Sequence, residues 1–227
     1  MKKFTIKDFF SKQFEEESTR VLVDSPSFFS AELMMEYIRQ IIKHGLSDFI
    51  SFAGKEMRFD EIASKDITQL SSIEDSTINM CVKLKENGNS GMDFQEIASL
   101  LHGEDDYAST DFALSKYGEN QVKTARQLGL TTVYNENKWY LTSIGYVYPD
   151  LEIEEQNKLL SIILLRDPFY SRLLCSLCAN DTSIRGYMDM LSESTIRRRI
   201  PSCLKLIEIF VNQCKKEGLK TYQLLLS

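Results

Sequence analysis

The stretch YGENQVKTARQLGLTTVYNENKWYLTSIG, residues 117–145, carries the most regular pattern in the chain. It predicts a polar helix over 119–128 that ends at Gly129, because glycine readily adopts the backbone conformation found at helix C-termini. Two short β-prone runs follow, joined by a turn at 135–137. Residues 142–143 then begin another helix, so the predicted order is polar helix, hairpin, helix.

This order is typical of the end of a winged helix-turn-helix, in which the helix over 119–128 would read DNA. Val122, Ala125 and Leu128 lie three residues apart on this helix and should pack inward. Its candidate DNA-binding residues are Asn120, Gln121, Lys123, Thr124, Arg126 and Gln127. Asn and Gln can pair with adenine, Arg with guanine, and Lys and Thr with phosphate. A solvated helix face has the same residue types, so the interpretation depends on the hairpin that follows.

The hairpin over 131–141 would be the wing of such a module. Lys138 lies near its tip and is a candidate contact for phosphate or the minor groove. Trp139 and Tyr140 alternate across the second strand, so their side chains point to opposite faces. We expect Trp139 to be the one that closes the core.

Composition and charge predict an ordinary soluble protein. The 227 residues are 43% hydrophobic and 26% charged, and a net charge of −6 argues against a broadly basic nucleic-acid binder. The charge is uneven, because residues 115–227 carry a net +3 and residues 1–114 a net −9. An acidic first half and a mildly basic second half fit a protein in which only the second half faces DNA.

The five cysteines are irregularly spaced, which predicts reduced thiols and a cytoplasmic location. Cys175 and Cys178 form a CxxC pair, but the apolar helical run around them favours two core residues over metal or redox chemistry. We predict no cofactor and no metal site. No apolar run approaches the ~20 residues that span a membrane, so no membrane partner is expected.

Helical patterns dominate on both sides of the quoted stretch. The sequence predicts helices at 29–44, from 74 to Asn87-Gly88, from a capping box of Asp93 and Glu96 to Leu101, from Ser109 or Thr110 to Tyr117, and at 152–165. Gly118 should separate the helix that ends at Tyr117 from the helix over 119–128. Residues 49–59 suggest a hairpin around Gly54, residues 20–23 a strand, and residues 64–76 a linker.

A second helix-turn-helix is a candidate in the C-terminal region. A helix over 182–190 would be followed by a turn and by a helix from Ser194, and Asp167-Pro168 should begin a further helix before them. The candidate phosphate contacts are Thr195, Arg197, Arg198 and Arg199. A charged helix face paired with Glu193 explains these arginines equally well. Pro201 should kink or restart this helix.

Signals for catalysis are weak. The two histidines each end a predicted helix without the spacing of metal ligands, and no phosphate-binding or hydrolase motif occurs. Asp111 followed by Glu136-Asn137-Lys138 formally matches a PD-(D/E)xK nuclease. Glu136 belongs to the predicted wing turn rather than a central strand, so the sequence leaves the enzyme question open and favours a non-enzymatic protein.

Several segments together resemble a known family. They are Tyr117-Gly118-Glu119-Asn120, Ala125…Leu128-Gly129-Leu130, Tyr140-Leu141-Thr142…Gly145, LLSIILLRDPFYSRLL and Ser194-Thr195-Ile196-Arg197-Arg198-Arg199. Over residues 75–212 the chain resembles the winged-helix region of bacterial restriction-modification and related defence proteins, which accompanies a nuclease or serves as a DNA-binding accessory part. The resemblance implies binding of double-stranded DNA through 119–128 and 197–199. Pro201 departs from the family pattern, and no recognisable nuclease domain is present, so no catalytic activity is implied.

The sequence thus predicts a mainly α protein with small β hairpins, an α+β fold with a winged helix-turn-helix and a helical C-terminal domain. The expected domains are an N-terminal α/β region of unassigned role at 1–72, a winged-helix DNA-binding domain at 73–149, and a helical domain at 150–227. The leading hypothesis is an accessory or transcription-regulating protein of a restriction-modification or defence system. Its candidate partners are double-stranded DNA, a nuclease or methyltransferase, and a second copy of the chain. The alternatives are a protein–protein adaptor built on the winged helix and a subunit of a type II restriction endonuclease.

Overall fold

The computed structural model describes residues 4–22, 28–56, 62, 64, 67, 72–102, 110–134 and 136–227. Its helices are α1 (Ile6–Phe9), α2 (Lys12–Ser18), α3 (Phe28–Ile42), α4 (Leu46–Glu56), α5 (Met80–Glu86), α6 (Phe94–His102), α7 (Asp111–Gln127), α8 (Ser143–Val147), α9 (Ile153–Leu164), α10 (Pro168–Ala179) and α11 (Glu193–Lys216). The strands are β1 (Thr131–Tyr134), β2 (Lys138–Leu141), β3 (Thr182–Ser183) and β4 (Leu224–Leu225). A π-helical segment, Asp75–Asn79, leads into α5. The protein is therefore mainly helical with a small antiparallel hairpin, as predicted.

The chain forms two compact units, and each is assembled from separate stretches of sequence. The terminal unit comprises Met1–Ser11, Ile38–Gln69 and Ile153–Ser227. The hairpin unit comprises Lys12–Tyr37 and Leu70–Glu152. Contacts between residues far apart in sequence therefore hold each unit together.

The hairpin unit is built around α5, α6, α7 and the β1–β2 hairpin. The two strands pair antiparallel, with Thr131 opposite Leu141 and Tyr134 opposite Lys138. Met92, between α5 and α6, forms an antiparallel bridge with Trp139 through backbone hydrogen bonds of 2.8 and 3.1 Å. β2 therefore lies between β1 and the backbone at Met92.

Local capping sets the ends of α6 and α7, as predicted. The Asp93 carboxylate accepts the Glu96 N–H at 2.9 Å, and the Glu96 carboxylate accepts the Asp93 N–H at 2.7 Å. Thr110 caps α7 through the N–H of Ala113 at 3.4 Å. Gly129 follows α7 with a φ of +70°, a conformation that glycine adopts without steric cost.

The predicted break at Gly118 was wrong, because α7 is one continuous helix of 17 residues. A Cβ at Gly118 would lie 1.8 Å from the carbonyl oxygen of Phe94. The glycine therefore allows the backbone of α6 to approach α7 closely. Residue 118 is therefore a glycine because the two helices pack closely there, and not because a helix ends there.

The terminal unit packs α9 against α11, and α4 against α9 and α10. Asp167 caps α10 by accepting the Tyr170 N–H at 2.9 Å, and Pro168 occupies the first helical position, as predicted. Phe9 and Phe49 meet edge to face at 5.5 Å between ring centroids. The buried side chains at its centre include Leu159, Ile162, Leu173, Leu206 and Phe210.

Two further predictions for the terminal unit were wrong. The hairpin predicted within 49–59 is instead α4, because Leu46, Phe49 and Ala53 follow a helical spacing and are all buried. The helix predicted over 182–190 is instead β3, a parallel partner of β4, followed by one 3-10 turn. The first helix of the second helix-turn-helix is therefore absent.

The helix α11 runs through Pro201 without a restart and extends over 24 residues. The strand predicted at 20–23 is reduced to one bridge between Val21 and Thr142. The predicted turn at 24–26 and the polar loop at 103–109 lie outside the described residues. Six of the thirteen residues of the linker predicted at 64–76 lie outside the described residues, as do residues 57–59 of the predicted hairpin, and Asp75 and Ser76 belong to the π-helical segment rather than to a linker.

Candidate nucleic-acid interface

The outer face of α7 presents polar side chains at intervals of three and four residues. Lys116, Lys123 and Arg126 are exposed, and Asn120 and Gln127 are half-buried. The opposite face packs into the core, where Val122, Ala125 and Leu128 are fully buried. Four of the six residues predicted on this helix therefore reach the surface.

Gln121 and Thr124 were wrongly predicted as DNA contacts. Gln121 is 1% exposed and accepts a hydrogen bond from the Ser76 hydroxyl of the π-helical segment. Thr124 is fully buried, and its hydroxyl donates to the carbonyl of Asn120 at 2.9 Å. Both side chains stabilise the packing of α7. Gln121 precedes the buried Ala125 and Leu128 by four and seven residues, and Thr124 precedes Leu128 by four. This helical spacing is the sequence signal that places both residues on a buried face.

Glu119 organises the outer face and was not among the predicted site residues. Its carboxylate binds Lys116 at 2.6 Å and also binds Lys123. Hydrogen bonds from Lys116 and Lys123 hold the pKa of Glu119 below its usual value, so it is ionised at neutral pH. The three-residue and four-residue spacings could have revealed both pairs in the sequence.

Arg126 connects the outer face of α7 to the hairpin. Its guanidinium lies 5.9 Å from the ring centroid of Trp139, which is 5% exposed and closes the core as predicted, although Tyr140 is buried as well at 6%. One residue earlier, Lys138 lies 3.9 Å from the Glu96 carboxylate. The two cations therefore lie on neighbouring elements of the same unit.

Apolar side chains are also exposed in the hairpin unit. Phe112, at the start of α7, is 80% exposed, and Val133 and Tyr134 of β1 are 37% and 48% exposed. The turn that follows holds Glu136 and Asn137 in the left-handed region, with φ of 49° and 61°. Exposed aromatic side chains of this kind can stack on bases or contact a protein partner.

The candidates on α11 lie in the terminal unit. Arg197 pairs with Glu193 at 3.1 Å, and Arg199 donates to the carbonyl of Ser64 at 3.2 Å. Arg198 is exposed and makes no hydrogen bond or ion pair with the described residues. The Thr195 hydroxyl lies 2.9 Å from that of Ser192. Arg198 is therefore the cation of this cluster most available to a ligand.

The nuclease-like residues lie on different elements, with Asp111 on α7, Glu136 in the hairpin turn and Lys138 on β2. Glu136 is exposed in the hairpin turn, whereas Asp111 begins α7 and accepts a hydrogen bond from Gln95 at 3.3 Å. The part of the chain that the structure describes contains no group of three or more His, Cys, Asp or Glu side chains arranged to hold a metal ion. Among the same residues, no helix has the length and apolar character needed to cross a membrane.

Charge differs sharply between the two units. The hairpin unit contains 8 Lys and Arg against 19 Asp and Glu, whereas the terminal unit contains 19 against 14. The outer face of α7 is therefore a local basic stripe in an acidic unit. No family model, no curated protein and no solved structure matches this chain.

Proposed function

We propose that the protein binds double-stranded DNA through a winged helix-turn-helix formed by α5, α6, α7 and the β1–β2 hairpin. The observation that carries the proposal is the bridge between Met92 and Trp139. This one-residue bridge puts the backbone between α5 and α6 beside β2, where a winged helix has its first strand, and so supports the order helix, bridge, helix, helix, strand, strand. In a module of this order, α7 is the helix that enters the major groove.

The exposed residues of α7 have the chemistry needed for this role. Asn120 and Gln127 can pair with adenine, and Arg126 can contact guanine or phosphate. Lys116 and Lys123 can release the Glu119 carboxylate and bind phosphates instead, because exposed ion pairs contribute little to stability. Lys138 supplies a further phosphate contact from β2, and Arg198 of the terminal unit is a separate candidate for contact with phosphate.

The acidic surroundings shape how binding would depend on salt and sequence. The net negative charge of the hairpin unit repels DNA at long range, so affinity must come from short-range contacts. We therefore expect weak binding to random duplexes and a preference for a particular site. Such a protein fits an accessory or regulatory role beside a nuclease or methyltransferase of a defence system.

Fluorescence anisotropy on duplex DNA at two salt concentrations tests the proposal. Lys123→Ala with Arg126→Ala is expected to lower affinity about 10-fold or more, because each lost contact is worth about 1–3 kcal/mol. Lys12→Ala with Arg20→Ala is the matched control, since it removes the same charge from exposed positions of the same unit. An equal loss in both variants, or no salt-sensitive binding by the native chain, would refute the proposal.

A protein–protein adaptor is the second candidate function. The exposed Phe112, Val133 and Tyr134, together with the acidic charge of the hairpin unit, favour this alternative. An apolar interface of this kind should tolerate salt, whereas DNA binding through Lys and Arg weakens steeply as salt rises. Retention of a partner by the native chain at high salt, and its loss in Phe112→Ser, would favour the adaptor.

A further inference from the structure

The terminal unit contains an open cavity that the proposed DNA contacts do not use. It has a volume of about 530 Å³ and lies between the end of α3, the start of α9 and the end of α11. This volume falls in the range of sites for small molecules, roughly 300–1,000 Å³. Four cationic and three carboxylate side chains line it, so charge dominates its chemistry.

One wall of the cavity carries the Glu217 carboxylate, which already accepts three hydrogen bonds. Glu217 accepts the Leu46 N–H at 2.7 Å, the Gln213 amide at 2.8 Å and the Lys158 ammonium at 3.0 Å. Burial alone would raise the pKa of Glu217, but these three hydrogen bonds outweigh it and lower the pKa. Glu217 is therefore ionised, and Lys158 neutralises it.

The α3 side of the cavity carries two cations that have no partner among the described residues. Arg39 and Lys43 lie four residues apart, so they project from the same face of the helix and its continuation. Both are exposed, and neither makes a hydrogen bond or an ion pair with the described residues. Like charges at this spacing repel one another, and an anion in the cavity would relieve that repulsion.

A third cation stands on the α11 side. Lys216 pairs with Glu154 at 3.1 Å, and the two side chains are 54% and 78% exposed. An ion pair this exposed contributes little to stability, so Lys216 can turn to a ligand without a large cost. Arg39, Lys43 and Lys216 can then surround one anionic group.

We propose that this cavity binds the phosphate group of a small phosphorylated molecule of nucleotide size. The Arg39 fork suits bidentate contact with phosphate oxygens, and Lys43 and Lys216 add point charges. Glu154 and Glu155 can accept hydrogen bonds from hydroxyl or amino groups on the rest of the ligand. The same carboxylates would repel the continuous charge of a DNA backbone, which favours a single phosphate monoester.

Isothermal titration calorimetry of the full chain with adenosine monophosphate, inorganic phosphate and adenosine tests this proposal. We expect adenosine monophosphate to bind, and adenosine to bind at least about 10-fold more weakly because it lacks the charged group. Arg39→Gln with Lys43→Gln should weaken the binding of adenosine monophosphate by about 10-fold or more. Lys55→Gln with Lys205→Gln is the matched control, since both lysines are exposed in the same unit outside the cavity.

Three outcomes would overturn the proposal. The first is that neither adenosine monophosphate nor phosphate binds at a ligand concentration of about 10 mM, which exceeds the dissociation constant of even a weak specific site. The second is an equal loss of affinity in the cavity variant and the control variant, which would indicate a general charge effect. The third is that Arg39→Gln with Lys43→Gln weakens only the binding of duplex DNA. These variants leave α7 intact, and the variant that tests DNA binding changes residues of α7 only. Either proposal can therefore fail while the other holds.

Discussion

The helices α7 and α11 contain all the predicted DNA contacts except Lys138, yet they expose them differently. In α7, two polar residues of the predicted set are buried, because the helix packs against both α6 and the π-helical segment. In α11, the basic residues occupy the first turns, where Arg197 and Arg198 are exposed. The comparison shows that a polar side chain on a helix marks a ligand contact only where no second element covers that face.

Gly118 gives the strongest test of how tightly α7 is covered. Gly118→Ala should lower the free energy of unfolding by about 2 kcal/mol or more, because its Cβ would collide with backbone of α6. Gly54 also lies inside a helix, but a Cβ there meets its nearest neighbour at 4.0 Å. Gly54→Ala should therefore stabilise the protein by about 0.5–1 kcal/mol. Urea denaturation of both variants measures the difference.

Opposite signs for these two glycines are the essential outcome. If Gly118→Ala were neutral or stabilising, α6 and α7 could not approach as closely as the structure places them. The inference that α7 is covered on two faces would then fail, and Gln121 and Thr124 would again be candidates for contact with a ligand.

Glu217 in the terminal unit and Glu119 in the hairpin unit allow a second comparison. Glu217→Ala should cost about 1–3 kcal/mol, because it leaves the N–H of buried Leu46 without its acceptor. Glu119→Ala should cost no more than about 0.5 kcal/mol, because it removes only surface ion pairs. Thermal unfolding of the two variants at neutral pH measures this contrast.

The contribution of Glu217 should also depend on pH. The folded state lowers the pKa of Glu217, so its stabilisation is present above the unfolded pKa and is lost as pH falls through the folded value. The difference in melting temperature between the native chain and Glu217→Ala should therefore shrink below about pH 4. A difference that stays constant from neutral pH to about pH 3 would contradict the assigned role of this carboxylate.

Much of the fold follows from local sequence signals. The Asp93 and Glu96 capping box, the Asp167 cap and the hairpin depend on residues a few positions apart, and the structure contains all three. Long-range partners decide the rest. The buried amide of Gln121 is satisfied by Ser76, 45 residues away, and no local pattern identifies that partner.

The two main errors of prediction have different physical origins. Aromatic residues made 49–59 resemble a hairpin, although the helical spacing of the buried residues in α4 decides the structure. The segment after Thr182 pairs with Gln223 and Leu225 near the end of the chain, which local helix propensity cannot anticipate. At 49–59 the local pattern was therefore read with the wrong period, whereas after Thr182 tertiary pairing overrode local preference.

Arg198 offers a further test of the comparison between α7 and α11, with a smaller expected effect. Glu193 pairs with Arg197 and the Ser64 carbonyl accepts from Arg199, so Arg198 is the arginine of this cluster most available to a phosphate. Arg198→Ala should reduce the slope of log affinity against log salt by about 0.9, the value for one phosphate contact. Anisotropy titrations at several salt concentrations measure this slope. An unchanged slope would assign α11 to a solvated surface and leave α7 as the sole reader.

The reactivity of the cysteines is the smallest expected effect. It tests how tightly the core of each unit is packed. Burial raises the pKa of Cys203 to about 11 and also raises that of fully buried Cys81, so neither should react under native conditions. Cys178 is half-buried, and a hydrogen bond from the Cys214 thiol lowers its pKa. One fast-reacting thiol is therefore expected with a thiol reagent at about pH 8. Its loss in Cys178→Ser would identify it, whereas fast labelling of Cys81 would show that the core of the hairpin unit opens more readily than its packing indicates.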